Sequence, residues 1–167
     1  ATVDQNTLST GNVLANDRDA DRDTLRVAQV AGSGDDVGQA VAGSAGGRFT
    51  IDADGGFIFD PAGDFNGLAA GERATTSVTY QVADGQGGFD TATLTITVTG
   101  VDDGPVVANP TPAQSADDGQ RVAIAAGNAF ASPDGAKLTF AADGLPDGLM
   151  IDPRTGLITG RLGSDAS

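Results

Sequence analysis

The chain is 167 residues long, with 23 acidic residues against nine Lys and Arg and a formal net charge of −14. That balance repels nucleic acid and anionic membrane and favours solubility and cation capture. It has neither histidine nor cysteine, which removes catalytic triads, imidazole-ligated zinc, thiol nucleophiles and disulfides.

Hydrophobic content of 39% is enough for packed cores, and two small domains fit the length. Among the acids only Glu72 is a glutamate, the rest being aspartate, and 25 glycines and seven prolines accompany them. Aspartate is a poor helix former that bonds its own backbone in turns. Val, Ile, Thr and Phe recur in alternation, the pattern of half-buried strands. The class is all-β. No stretch approaches the length of a membrane span. Ala1 does not open a signal peptide, so the chain reads as an interior piece of something longer.

In chain order, the first marked feature is the acidic ladder of Asn16, Asp17, Asp19, Asp21 and Asp23. These side chains at adjacent or alternate positions crowd oxygen donors around one hard cation, and calcium is the expected ion. Without a counter-ion the carboxylates repel one another and hold the loop open. An EF-hand does not fit, because counting from Asp17 its glycine position holds Arg22 and its bidentate acid position holds Ala28. Strands are predicted over residues 24–30, 48–51, 56–59, 76–82 and 89–98, with hairpin signals at Asp54-Gly55, Asp84-Gly85 and Gly87-Gly88. The last run then stops at Gly100-Val101-Asp102-Asp103-Gly104-Pro105. Pro105 cannot donate to a ladder, so residues 1–100 form one domain, 101–105 an acidic linker and 106–167 a second domain.

Beyond the linker the pattern returns. The segment from Ile51 to Ile58 is echoed by that from Ile151 to Ile158, and Asp21 to Leu25 by Asp134 to Leu138. A spacing near 100 residues is the length of one immunoglobulin-like sandwich, so two such antiparallel β-sandwiches in tandem are expected. From Pro105 to Ser167 run only 63 residues against roughly 100 for a complete domain. The second sandwich is therefore expected to lack its last two strands, either because the chain is a fragment or because another molecule supplies them.

In a seven-stranded sandwich with strands alternating in direction, the acidic ladder lies between the second and third strands and residues 84–88 between the sixth and seventh. Both fall at one end, where Asp84 reaches the cation held by the ladder. Glu72 falls at the opposite end, beside Asp102 and Asp103, and Asp134 of the second domain faces them, a second candidate calcium set. Catalysis finds little support: two carboxylates could serve a glycosidase, but there is no tryptophan and only one tyrosine, Tyr80, to stack on a sugar. No enzymatic activity is expected.

Together Gly11-Asn12-Val13-Leu14-Ala15-Asn16-Asp17 with its acidic ladder, Leu68-Ala69-Ala70-Gly71-Glu72, Tyr80-x-Val82-x-Asp84-Gly85-x-Gly87-Gly88 and Val98-Thr99-Gly100-Val101-Asp102-Asp103-x-Pro105 resemble the VCBS repeat, a bacterial cadherin-like domain. The departure is Arg22, where that family has a glycine. The second domain, through Pro133-Asp134-Gly135, Gly144-Leu145-Pro146-x-Gly148-Leu149 and Ile151-Asp152-x-x-Thr155-Gly156, is similar to the first part of the Putative Ig, dystroglycan-type cadherin domain. There Ser132 and Ala136 stand where the resemblance implies calcium-binding aspartates, and Asp134 alone carries over.

The resemblance implies calcium-stiffened repeats of large secreted adhesins on the bacterial cell surface, of the RTX type. Their partners would be neighbouring repeats, another copy of the adhesin or matrix polysaccharide, with no nucleic acid and no membrane insertion. A calcium-dependent carbohydrate-binding module is the alternative from another class, and a sandwich with no metal requirement is a third.

Overall fold

A computed structural model describes residues 1–163, which divide into two compact units, 1–102 and the segment beginning at Asp103. No helix among these residues is long and apolar enough to cross a membrane.

The first unit has eight strands: β1 (Thr2–Asp4), β2 (Ser9–Asn12), β3 (Arg26–Val30), β4 (Val41–Ala42), β5 (Arg48–Ile51), β6 (Gly56–Asp60), β7 (Arg73–Ala83) and β8 (Phe89–Thr99). They form two four-stranded sheets, ordered β1-β8-β7-β3 and β2-β6-β5-β4. All pairings are antiparallel except β1 with β8, which is parallel. Eight strands stand where seven were expected, because the two-residue β4 adds an edge to the second sheet. The run predicted over 24–30 begins two residues late, since Thr24 and Leu25 stay in the acidic loop.

Alternation decides which side chains face inward. On β7 the buried positions are Thr76, Val78, Tyr80 and Val82, and on β8 they are Ile96 and Val98. Opposite them the second sheet contributes Phe49, Ile51, Phe57 and Phe59. The Phe49 and Phe59 rings sit 4.8 Å apart in a tilted arrangement, and Phe65 from the following turn closes on Phe59 at 6.4 Å. The result is a filled sandwich core. Its longest constraint is the β7–β8 ladder, registered from Arg73 opposite Thr99 to Ala83 opposite Phe89.

The second unit is thinner. β10 (Arg121–Ala125), β13 (Leu157–Arg161) and β12 (Leu149–Ile151) form one sheet, and β9 (Val106–Val107) pairs with β11 (Phe130–Ala131). A short 3-10 turn, Ala126–Ala129, precedes β11. The internal echo survives as structure, since both copies fold as hairpins. Asp52 N–H donates to Gly56 at 2.8 Å, and Asp152 N–H donates to Leu157 at 2.9 Å. Yet among the described residues of this unit Ala129 alone is a buried apolar side chain, and Val122, Ile124, Leu149 and Ile158 are only half-buried.

Core truncation should therefore separate the two units. Phe59→Ala is expected to cost the first unit about 3–5 kcal/mol, whereas Val122→Ala should cost well under half of that because its side chain is already partly wet. Urea unfolding followed by Tyr80 fluorescence and by circular dichroism measures both.

Candidate metal centre

The acidic ladder connects β2 to β3, and the Asp84–Gly88 segment connects β7 to β8. They meet at one end of the first sandwich. Asn16, Asp17, Asp19, Asp84 and Asp90 line a single open hollow of about 500 Å³, floored by Leu25, Val82 and Ala92. Asp90 was not anticipated from sequence. It sits opposite Val82 at the start of β8, so the hairpin that presents Asp84 presents Asp90 as well.

The two loops are shaped by their own side chains. Asp19 Oδ1 accepts the N–H groups of Asp21 at 2.8 Å and of Asp23 at 3.0 Å, which curls the ladder around that carboxylate. Asp17, Asp19 and Asp23 become half-buried while Asp21 and Arg22 face solvent. The structure thus brings Asn16, Asp17, Asp19 and Asp84 to one hollow and leaves Asp21 out of it. Asp23 lines the neighbouring depression with Asp54.

In the other loop Asp84 Oδ1 accepts the N–H groups of Gln86 at 2.7 Å and Gly88 at 2.9 Å. Gly85 and Gly87 take φ of 79° and 107°, which this tight turn requires and a side chain would resist. Gly88 matters for a second reason: a Cβ there would collide with the Asp84 carboxylate.

Electrostatics follow from these contacts. The Gln86 N–H, with the N–H groups of Gly88 and Gly87, holds the Asp84 carboxyl below the usual carboxylate range against partial desolvation. Its contribution is present above the ordinary value of 3.8 and is lost as pH falls through the lowered one. Tyr80 is buried in the same sandwich. Burial first, and the Asp17 charge second, push its hydroxyl above the ordinary 10.0.

The donor set is all oxygen, carboxylates and one carboxamide, which suits a hard cation such as calcium. Among the described residues no three acidic side chains converge closely enough to chelate one ion as they stand, and Arg18 lines the same hollow as Asp17 and Asp19. An ion would have to draw the ladder toward Asp84.

The other predicted ligands are distributed between the units. In the first, Glu72 Oε2 accepts Ala69 N–H at 3.0 Å, and the turn is tied to the end of β8 by Gly71 N–H to Gly100 at 2.9 Å and Gly100 N–H to Glu72 at 2.8 Å. Asp102 follows two residues later and is exposed. In the second, the Ser132 hydroxyl donates to Asp134, as do the N–H groups of Ala136 and Asp103, and together they hold the Asp134 carboxyl below its usual range. Asp103 and Asp134 are therefore brought together.

Residues 1–100 match the model of the bacterial cadherin-like domain. The chain belongs to that family. Residues 104–167 match the model described as Putative Ig domain, so the whole is a cadherin-like module followed by an Ig-like one, the organisation of adhesion-type repeats. No curated protein matches in sequence.

Solved structures similar to it include Drosophila N-cadherin EC1-4, 15% identical over 96% of this chain and 39% of that one, with a TM-score of 0.47. The protocadherin GammaB4 extracellular domain is 18% identical over 99% and 28%, with a TM-score of 0.43. An endo-fucoidan hydrolase of glycoside hydrolase family 107 is 18% identical over 99% and 23%, with a TM-score of 0.34. The cadherin-like chain spans less than two fifths of the length of each.

Two substitutions probe the loop without metal. Arg22 adopts φ of 69°, a left-handed conformation that costs a branched or long side chain about 1–2 kcal/mol. Arg22→Gly should recover part of that in thermal unfolding. Asp17→Asn removes the charge beside Tyr80, so the tyrosinate absorbance should rise at lower pH than in the parent chain; an unmoved titration would place Asp17 too far away to matter.

Proposed function

We propose that this chain is a calcium-binding, cadherin-like spacer and adhesion segment of an extracellular bacterial surface protein, with no catalytic role. The observation that supports it is the hollow shared by Asn16, Asp17, Asp19, Asp84 and Asp90. Its ligands come from two loops far apart in sequence, so an ion held there would cross-link the ends of both sheets and stiffen the module, as a spacer under tension needs. Asn16, Asp17, Asp19 and Asp84 are the principal ligands in this reading, with Asp90 added. Asp21 and Asp23 support the loop, and Asp103 with Asp134 forms a lesser pair in the second unit. Glu72 and Asp102 remain candidates on sequence grounds. The partners fitting such a segment are neighbouring repeats of the same protein or another copy of it.

A second reading has one observation in its favour. Phe89 lines the same hollow and is 63% exposed, an aromatic face beside the proposed ion. That combination suits a calcium-dependent contact with matrix polysaccharide, in which the ion takes sugar hydroxyls and the ring takes the apolar face of the sugar.

Calcium that binds only the folded state stabilises it by mass action, by about 2.7 kcal/mol at a free concentration one hundred times its dissociation constant. The thermal midpoint should rise accordingly in millimolar calcium relative to chelator. Asp17→Asn combined with Asp84→Asn should abolish the rise, and Asp21→Asn should leave most of it. Coincident melting curves with and without calcium would remove the metal from this account, and equal losses from Asp21→Asn and Asp84→Asn would put the ion elsewhere in the loop. The polysaccharide reading needs Phe89→Ala to reduce retention on a calcium-loaded glycan array with the calcium-dependent rise in midpoint intact.

A further inference from the structure

Asn66-Gly67 is the chain's one Asn-Gly pair, and it lies in the exposed turn between β6 and β7. We propose that Asn66 is a site of spontaneous deamidation that converts this turn into a mixture of aspartate and isoaspartate. The Gly67 backbone nitrogen attacks Cγ of Asn66, the Cγ–Nδ2 bond breaks and ammonia leaves with the amide proton. Water then opens the cyclic imide at either carbonyl. The step needs an uncrowded glycine whose nitrogen makes no hydrogen bond, and a free side-chain amide.

Both conditions are met. Gly67 has no heavy atom within 4 Å of where a Cβ would stand. Among the described residues neither the Gly67 N–H nor the Asn66 carboxamide makes a hydrogen bond, and Asn66 is tied only through its own N–H to Gly63 at 3.3 Å. Asp84-Gly85 and Asp134-Gly135 make an internal contrast. Asp84 and Asp134 have their side chains fixed by N–H donors and kept ionised, which makes them poor electrophiles.

The isoaspartyl product adds a backbone methylene between two anchored residues. Phe65 is 4% exposed, packed on Phe59, and its carbonyl accepts Leu68 N–H at 3.0 Å. The extra atom must strain that turn or pull Phe65 from the core, so the isoaspartyl form should melt lower than the aspartyl one.

The test is to incubate the folded full chain at mildly alkaline pH and map peptides by mass spectrometry, with isoaspartyl methyltransferase labelling. Asn66 should convert many-fold faster than Asn6, Asn12, Asn16, Asn109 and Asn128. Gly67→Ala, which the open space accommodates without refolding, should slow it many-fold, and Asn66→Asp should melt like the parent while the isoaspartyl fraction melts lower. Conversion of Asn66 no faster than that of the other asparagines, or unaffected by Gly67→Ala, would overturn the proposal.

Discussion

The β7–β8 ladder is the constraint on which the rest of the first unit hangs. Eleven residues of each strand run in unbroken antiparallel register, and that register determines at once which side chains enter the core and which loop emerges at the end. Val78, Tyr80 and Val82 on one strand and Ile96 and Val98 on the other present a continuous apolar face to Phe49, Ile51 and Phe59. At the end of the same ladder the chain must turn within a few residues, which the left-handed glycines Gly85 and Gly87 allow. Asp84 and Asp90 then flank the hairpin on a rigid base. A one-residue slip would send Tyr80 and Val82 to solvent and move both carboxylates away from the ladder.

On this base the acidic loop forms the other half of the hollow. Its conformation rests on Asp19 accepting two backbone N–H groups. In the proposed reading a divalent cation would join the hairpin to the acid-rich loop, coupling two loops that are far apart in sequence and meet at one end of the sandwich. Residues 1–100, which carry both loops, are the part of the chain that belongs to the bacterial cadherin-like family. Among the described residues the second unit has five short strands, fewer than the seven of a complete Ig-like sandwich, and little enclosed core, so the well-packed first unit dominates their folding stability.

Much of this was legible in the sequence, for identifiable reasons. Strands with strict alternation, such as the Thr91 to Val98 run, declared themselves because one face is buried and the other is not. Aspartate-glycine turns marked the hairpins, and the repeated Ile-Asp motif at residues 51 and 151 foretold two hairpins of one kind. What escaped notice is explained by pairing rather than by propensity. Ser9-Thr10-Gly11-Asn12 lacks apolar alternation, yet it is β2 because β6 offers it an edge, and Gly11 is needed there because the Phe57 ring lies against it. Asp90 was hidden inside an alternating strand, where its polar character looked like an outward-facing position. Only the hairpin register shows that it shares the hollow with Asp84. Asp21, which the alternate spacing put among the candidate ligands, faces solvent beside the turn that Asp19 makes with the backbone.

Tyr80 supplies the most direct measurement. It is the only tyrosine in a chain without tryptophan, and it lies close enough to Asp17 to feel its charge. Terbium(III), a luminescent stand-in for calcium with the same preference for oxygen donors, should therefore show tyrosine-sensitised emission when added to the folded chain. Calcium should displace it, and Asp17→Asn with Asp84→Asn should remove it. Absence of sensitised emission at terbium concentrations that saturate exposed carboxylates, or emission indifferent to those two substitutions, would contradict a cation site in the hollow.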